Sequence, residues 1–122
     1  MRRHLATSIL AITAVLAACS SPIALRTAPV KTDACDEALL LGELVTSAQG
    51  GLAVRTADQT TEVMWPFGYT ATQESTGVVL RDTTGKIVAH VGQRVSMGGG
   101  GGSNGFFNAC AGTVMEVSNA GG

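Results

Sequence analysis

The sequence predicts an all-β domain, folded as a small closed or partly open barrel (OB-like) or, alternatively, as a small β-sandwich. Short runs rich in aliphatic and β-branched residues recur at spacings of about ten residues, as they do in small barrels and sandwiches. Turn-forming Gly, Pro, Asp and Ser residues separate these runs, and no long helical period occurs beside them. Both observations favour many short strands over helices.

The predicted strands follow one another from Asp33 onward. Acidic residues at the head of the first run would also suit a helix N-terminus, so a short helical turn is an alternative there. The segment Asp82-Thr-Thr-Gly85 is the strongest turn signal, and residues 77–91 are therefore predicted to form a hairpin. In chain order, the predicted strands cover residues 38–46, 52–56, 60–65, 69–72, 77–81, 86–91, 94–97 and 113–117.

A glycine tract covers residues 98–102 and continues as Ser103-Asn104-Gly105. It matches Gly-x-Gly-x-x-Gly, but a dinucleotide site also requires a helix directly after the glycines, and none is predicted. No Gly-Lys-Ser/Thr follows either, which excludes a phosphate-binding loop of that type. We interpret the tract as a mobile surface loop.

The first 18 residues have the form of an export signal, with a basic start at residues 1–4 and an uncharged apolar run at residues 5–16. A run of about 12 residues is too short for a membrane-spanning helix, which needs about 20. The run ends in Leu16-Ala17-Ala18-Cys19, which resembles the bacterial lipobox, an apolar residue and two small residues before a Cys. The resemblance implies a lipoprotein with a diacylglyceryl group on Cys19, anchored at the extracytoplasmic face of the cell membrane after removal of residues 1–18.

This interpretation divides the chain into a signal peptide (1–18), a lipidated flexible tether (19–32) and an all-β domain (33–122). The tether is predicted because its Ser and Pro residues show no sustained periodicity. Loss of Arg2 and Arg3 with the leader reduces the eight basic residues to six, against nine acidic residues. Because no basic patch remains, a nucleic-acid partner is not expected.

Lipidation of Cys19 would leave Cys35 and Cys110 as a pair of thiols. Export brings them into an oxidising compartment, where paired thiols form disulfides. A bridge between them would close a loop of about 76 residues. A Cys-x-x-Cys redox motif is absent. A zinc site would need two further ligands near the thiols, and His90 is the only His after the leader. We favour a structural disulfide over a catalytic thiol or a metal site, and we expect no metal.

The segment Trp65-Pro66-Phe67-Gly68-Tyr69 contains most of the aromatic residues. These rings could form a stacking platform for sugars or peptides, or Trp65 and Tyr69 could instead cap one end of the barrel as core residues. Trp65, Phe67 and Tyr69 are the candidate ligand surface, together with the glycine loop at residues 98–105.

Four features occur together over residues 35–117: the aromatic segment, the hairpin at residues 82–92, the run Arg94-Val-Ser-Met-Gly-Gly-Gly100, and the late Cys110. Together they resemble small secreted β-domains of uncharacterised lipoproteins from actinobacteria and their relatives. The resemblance implies a small β fold and brings no catalytic residues with it.

Candidate catalytic residues are few. His90 stands between Ala89 and Val91 in a predicted strand without an obvious partner in sequence, and a Gly-x-Ser-x-Gly nucleophile motif is absent. Acidic residues at turns and strand ends are interpreted as solvated: Asp58, Glu62, Glu74 and Asp82.

The sequence therefore favours a non-enzymatic module, without a cofactor, that is held on the membrane and binds a cell-envelope ligand or protein. The first alternative is a small cell-envelope hydrolase, which would need His90 near a carboxylate in a cleft. The second is a structural surface protein without a specific ligand.

Overall fold

The computed structural model describes residues 20–57 and 59–118, and this part of the chain contains ten β-strands and no helix. The first predicted run is a strand over its whole length, so the alternative of a helical turn at its head is wrong. The strands in chain order are β1 (Ser21–Ile23), β2 (Ala38–Thr46), β3 (Leu52–Thr56), β4 (Gln59–Met64), β5 (Thr70–Glu74), β6 (Gly77–Arg81), β7 (Ile87–His90), β8 (Arg94–Gly101), β9 (Phe107–Ala109) and β10 (Met115–Glu116).

Five of these strands close into a barrel in the order β8-β2-β3-β4-β9, and β9 pairs with β8 to complete the ring. The pairs are antiparallel except for β4 with β9, which run parallel, and β10 adds to the free part of β8. Alternate residues of the barrel strands point inward, as the period-two pattern requires. The fully buried inward residues are Leu44, Val54, Val63, Val95 and Met97. The predicted all-β fold with an OB-like barrel is confirmed.

A second sheet of four antiparallel strands, in the order β1-β5-β6-β7, packs against the barrel. Its buried residues Ala71, Val78, Leu80 and Ala89 belong to the same hydrophobic cluster as the barrel residues. The predicted hairpin at residues 77–91 is present as β6 and β7, with the turn at Asp82–Gly85 closed by a hydrogen bond from Gly85 N to Asp82 O of 3.0 Å. The two sheets therefore share one core.

The glycine tract is a strand of the barrel, and its interpretation as a mobile surface loop is wrong for residues 98–101. Gly99 pairs with Ala38 of β2 on one side and with Ala109 of β9 on the other. A Cβ at Gly99 would overlap the carbonyl oxygen of Asn108 on β9, so only glycine lets the two strands approach closely enough to close the ring. The turn itself begins after this strand, with a hydrogen bond from Gly105 N to Gly102 O.

The predicted flexible tether is also corrected, because residues 21–28 belong to the folded domain. β1 pairs with β5 through Ser21↔Gln73 and Ile23↔Ala71, and Ala28 N donates to the carbonyl of Trp65 at 2.8 Å. Ile23 and Leu25 pack against the core and hold this segment on the domain. The Ser and Pro residues around them gave no indication of this packing.

Residues 1–19, with the predicted signal peptide and Cys19, lie outside the described residues, as does Asp58. No helix in the described ranges is long and apolar enough to cross a membrane.

Candidate functional site

The aromatic segment does not form a platform. Trp65 is 0% exposed and its indole Nε1 donates to the carbonyl of Leu52 at 3.2 Å, while Tyr69 is 5% exposed and its hydroxyl accepts a bond from Gly112 N at 3.3 Å. The ligand-surface prediction is therefore wrong for these two residues, which are core residues with satisfied polar atoms. Phe67 remains 48% exposed.

Phe67 lines an apolar cavity of about 290 Å³, which we call the Phe67 cleft. Four parts of the chain meet there: the segment between β1 and β2, the turn between β4 and β5, the turn between β6 and β7, and the end of β9 with the two residues that follow it. Most of the lining side chains are alanine or larger apolar residues. The lining consists of Ala28, Val30, Lys31, Thr32, Ala34, Pro66, Phe67, Thr83, Ala109, Cys110 and Ala111.

The walls of the cleft are fixed by local structure. The turn that presents Phe67 is closed by Tyr69 N donating to Pro66 O at 3.2 Å, and Gly68 takes a φ of 82°. A Cβ at Gly68 would come within 2.7 Å of the Thr83 methyl group, so glycine serves both the backbone conformation and the contact between the two turns. The segment that contributes Ala28 to the lining is held by the hydrogen bond from Ala28 N to the carbonyl of Trp65.

The Cys35–Cys110 disulfide is present, as predicted from the sequence, with a Cα–Cα distance of 5.5 Å. Cys110 is buried, lines the cleft, and donates its backbone N–H to Gly98 O at 2.9 Å. The bridge thus ties the segment that enters β2 to the segment that leaves β9. It therefore joins covalently two segments that contribute residues to the cleft, through Ala34 and Cys110.

A second cavity of about 270 Å³ adjoins the cleft and shares five lining residues with it, among them Ala34 and Cys110. Its remaining walls are more polar, with Asp36 and Asn108 beside Met64. The site therefore consists of the apolar Phe67 cleft and an adjoining polar cavity at Asp36. Lys31 is the charged side chain that lines the Phe67 cleft.

A separate polar cluster covers the outer face of the second sheet. Arg81 donates to the Glu74 carboxylate at 2.9 Å and Thr72 donates to it at 3.0 Å, and these two bonds hold the pKa of Glu74 below its usual range. At the turn after β6, Thr84 donates to Asp82 at 2.6 Å, and this bond lowers the pKa of the Asp82 carboxyl group.

His90 has a carboxylate partner that the sequence did not reveal. Its Nδ1 lies 2.5 Å from Glu116 Oε1, and the same oxygen accepts the His90 backbone N–H at 2.6 Å. Both side chains are partly exposed, and neither lines the Phe67 cleft or its polar neighbour. They are also absent from the walls of the open groove of about 690 Å³ beside Glu43, Arg55 and Arg94. Glu116 is the carboxylate that a hydrolase would require beside His90, but none of these three cavities provides a substrate cleft next to the pair.

Among the residues that the structure describes, no group of three or more His, Cys, Asp and Glu side chains is placed to hold a metal ion.

Comparison with known proteins adds no relative, since no family model, curated protein or solved structure matches this chain.

Proposed function

We propose that the protein is an exported bacterial lipoprotein, anchored through Cys19, whose β-domain binds an apolar group of a cell-envelope ligand in the Phe67 cleft and catalyses no reaction. The observation that carries the binding role is the apolar cavity of about 290 Å³ lined by exposed Phe67 and Val30. Binding sites of this kind are concave and mostly apolar, with a few polar groups at their edge.

The exposure of large apolar side chains at the cleft supports a ligand there. Phe67 is 48% exposed and Val30 is 65% exposed, and burying such side chains is favourable by about 25 cal/mol for each Å² removed from water. The disulfide and the turn hydrogen bonds already hold the walls, so binding loses little conformational entropy. Both effects favour affinity for an apolar group.

The size and charge of the site narrow the ligand class. The volume of about 290 Å³ lies at the lower end of the range for small-molecule sites, so it suits a small ring system or a short aliphatic branch and not a large cofactor. Lys31 at the same cavity suits a ligand that carries a negative charge next to its apolar group.

A fluorescent probe of that chemistry tests the cleft directly. We expect 8-anilinonaphthalene-1-sulfonate, an apolar ring system with one sulfonate, to bind the native domain and to lose most of its affinity in Phe67→Ala and Val30→Ser. Leu39→Ser is the matched control, because Leu39 is 70% exposed on β2 and lines none of the three cavities. Equal binding by all four proteins would refute the cleft and would favour a structural surface protein without a specific ligand.

The anchoring role is supported by the form of residues 1–16 and by the lipobox resemblance of Leu16 to Cys19. Two acyl chains give stable attachment, since each buried CH₂ contributes about 0.8 kcal/mol. Cys19→Ser should abolish labelling by radioactive fatty acid and release the protein from the membrane fraction. Unchanged membrane association of this variant would refute the anchor.

A cell-envelope hydrolase is the second candidate, favoured by the His90–Glu116 pair, because a carboxylate at Nδ1 orients an imidazole for proton transfer. Its test is hydrolysis of purified cell-wall polymer by the wild type and by His90→Gln. Hydrolysis that is lost in the variant would establish this candidate, and the absence of hydrolysis in the wild type supports the binding module.

A further inference from the structure

The chain leaves almost no spacer between the proposed anchor and the folded domain. β1 begins at Ser21, so Ser20 is the only residue between it and Cys19. Consecutive Cα atoms are about 3.8 Å apart, so Ser21 lies within about 7 Å of the residue that carries the lipid. A flexible tether of residues 19–32 would instead have allowed about 20 Å of free reach.

The first strand is firmly part of the fold, so it cannot act as a spacer. β1 pairs with β5 at three positions, and Ile23 at its end packs against the core. Farther along, Trp65 N donates to Arg26 O at 2.8 Å, and the Arg26 guanidinium lies 4.9 Å from the centre of the Phe106 ring. Detaching this segment would break all of these contacts together.

The register of β1 decides which end of the second sheet is nearest the anchor. Because β1 and β5 are antiparallel with Ser21 opposite Gln73, the chain before Ser21 runs toward Glu74 and the turn at residues 75–76. This end is polar: Ser75 and Thr76 are exposed, and the Glu74 charge is paired with Arg81. Such a surface matches the polar headgroup layer of a membrane, since it has hydroxyl groups for hydrogen bonds and little uncompensated charge.

The Phe67 cleft lies at the opposite end of the same sheet. From Gly77, β6 runs through Arg81 into the turn that carries Thr83, and Thr83 lines the cleft. Six residues of extended chain at about 3.3 Å each separate Gly77 from Thr83 by about 20 Å.

We propose that the lipidated protein docks on the membrane surface in one orientation, with the β5–β6 turn against the lipid headgroups and the Phe67 cleft facing away. This inference rests on the proposed lipidation of Cys19. A connection of one residue between the anchor and β1 restricts the rotation of the domain, and it therefore fixes the direction in which the cleft faces.

The test compares two spin labels on the full-length, lipidated, disulfide-bonded protein. One protein carries the label at Ser75→Cys and the other at Thr83→Cys, both exposed turn positions at opposite ends of the sheet. Each is reconstituted in phosphatidylcholine–phosphatidylglycerol vesicles that contain a nickel-chelating lipid, and relaxation of the label by headgroup nickel is measured. We expect the relaxation at position 75 to exceed that at position 83 several-fold.

A linker of about twelve Gly and Ser residues between Ser20 and Ser21 is the matched control, since its reach of about 20 Å should abolish the difference. Equal relaxation at both positions in a protein that floats with the vesicles would overturn the orientation and leave the anchor intact. A protein that does not float with the vesicles would refute the anchor and the orientation with it.

Discussion

Removal of the Cys35–Cys110 disulfide should destabilise the whole domain. The bridge spans a sequence separation of 75 residues and joins the segment entering the barrel to the segment leaving it. The chain-entropy relation gives about 4.5 kcal/mol for a loop of this length. A domain of about 100 residues is stable by only about 5–15 kcal/mol, so the double variant Cys35→Ala, Cys110→Ala should lose a large part of its free energy of unfolding.

Guanidinium unfolding followed by circular dichroism measures this loss. We expect a lower midpoint, together with a steeper dependence on denaturant, because the unbridged chain exposes more surface when it unfolds. Leu39→Ser, a change at an exposed side chain that leaves both cysteines in place, serves as the control and should unfold like the wild type. A decrease of less than about 1 kcal/mol in the double variant would mean that the bridge does not stabilise the domain through loop closure.

Three further changes test the core, the barrel closure and the outer face. Trp65→Ala should cost about 3–5 kcal/mol and leave the Leu52 carbonyl without its donor, which thermal unfolding would record as a large fall in Tm; an unchanged Tm would mean that Trp65 is not a core residue. Gly99→Ala should cost at least about 1–3 kcal/mol, because its Cβ would overlap the facing strand, and a wild-type Tm would contradict the tight closure. The pKa of Glu74 is lowered in the folded state, so the stability from its bond with Arg81 is present above the unfolded pKa of about 4.3 and is lost as the pH falls through the folded pKa. Unfolding measured from pH 6 to pH 2 should therefore show a smaller acid-induced loss in Glu74→Gln than in the wild type, and identical curves would contradict this role.

The fold class and the disulfide were predictable from local and compositional signals. The barrel strands alternate inward and outward residues, as at Leu44 and Val54, and the turn at Asp82–Gly85 has the residues that such a turn requires. The disulfide was predictable because Cys35 and Cys110 remain as a pair once Cys19 is assigned to the expected lipidation, and the structure joins these two residues.

The glycine strand and β1 were not predictable, for two different physical reasons. Glycine usually weakens a strand, so a run of glycines does not indicate one. Gly99 is required because β9 approaches β8 closely where the barrel closes, and this long-range pairing is not visible in the local sequence. β1 is a three-residue edge strand, too short to show periodicity, and its stability comes from pairing with β5.

The site was predicted in part. Trp65, Phe67 and Tyr69 are spaced by two and would share a face of a regular strand, but Pro66 and the positive φ of Gly68 turn the chain between them. Trp65 and Tyr69 therefore enter the core while Phe67 stays at the surface. The other walls of the cleft come from segments far apart in sequence, such as Val30 and Thr83, and no local pattern connects them.

Mass spectrometry of the protein extracted from bacterial membranes tests the proposed lipid anchor on Cys19 and the disulfide in one measurement. We predict a chain that begins at Cys19, carries a diacylglyceryl group on that residue, and contains the Cys35–Cys110 bridge. A chain that retains residues 1–18, or that begins at Cys19 with a free thiol, would contradict the account of a lipid-anchored module.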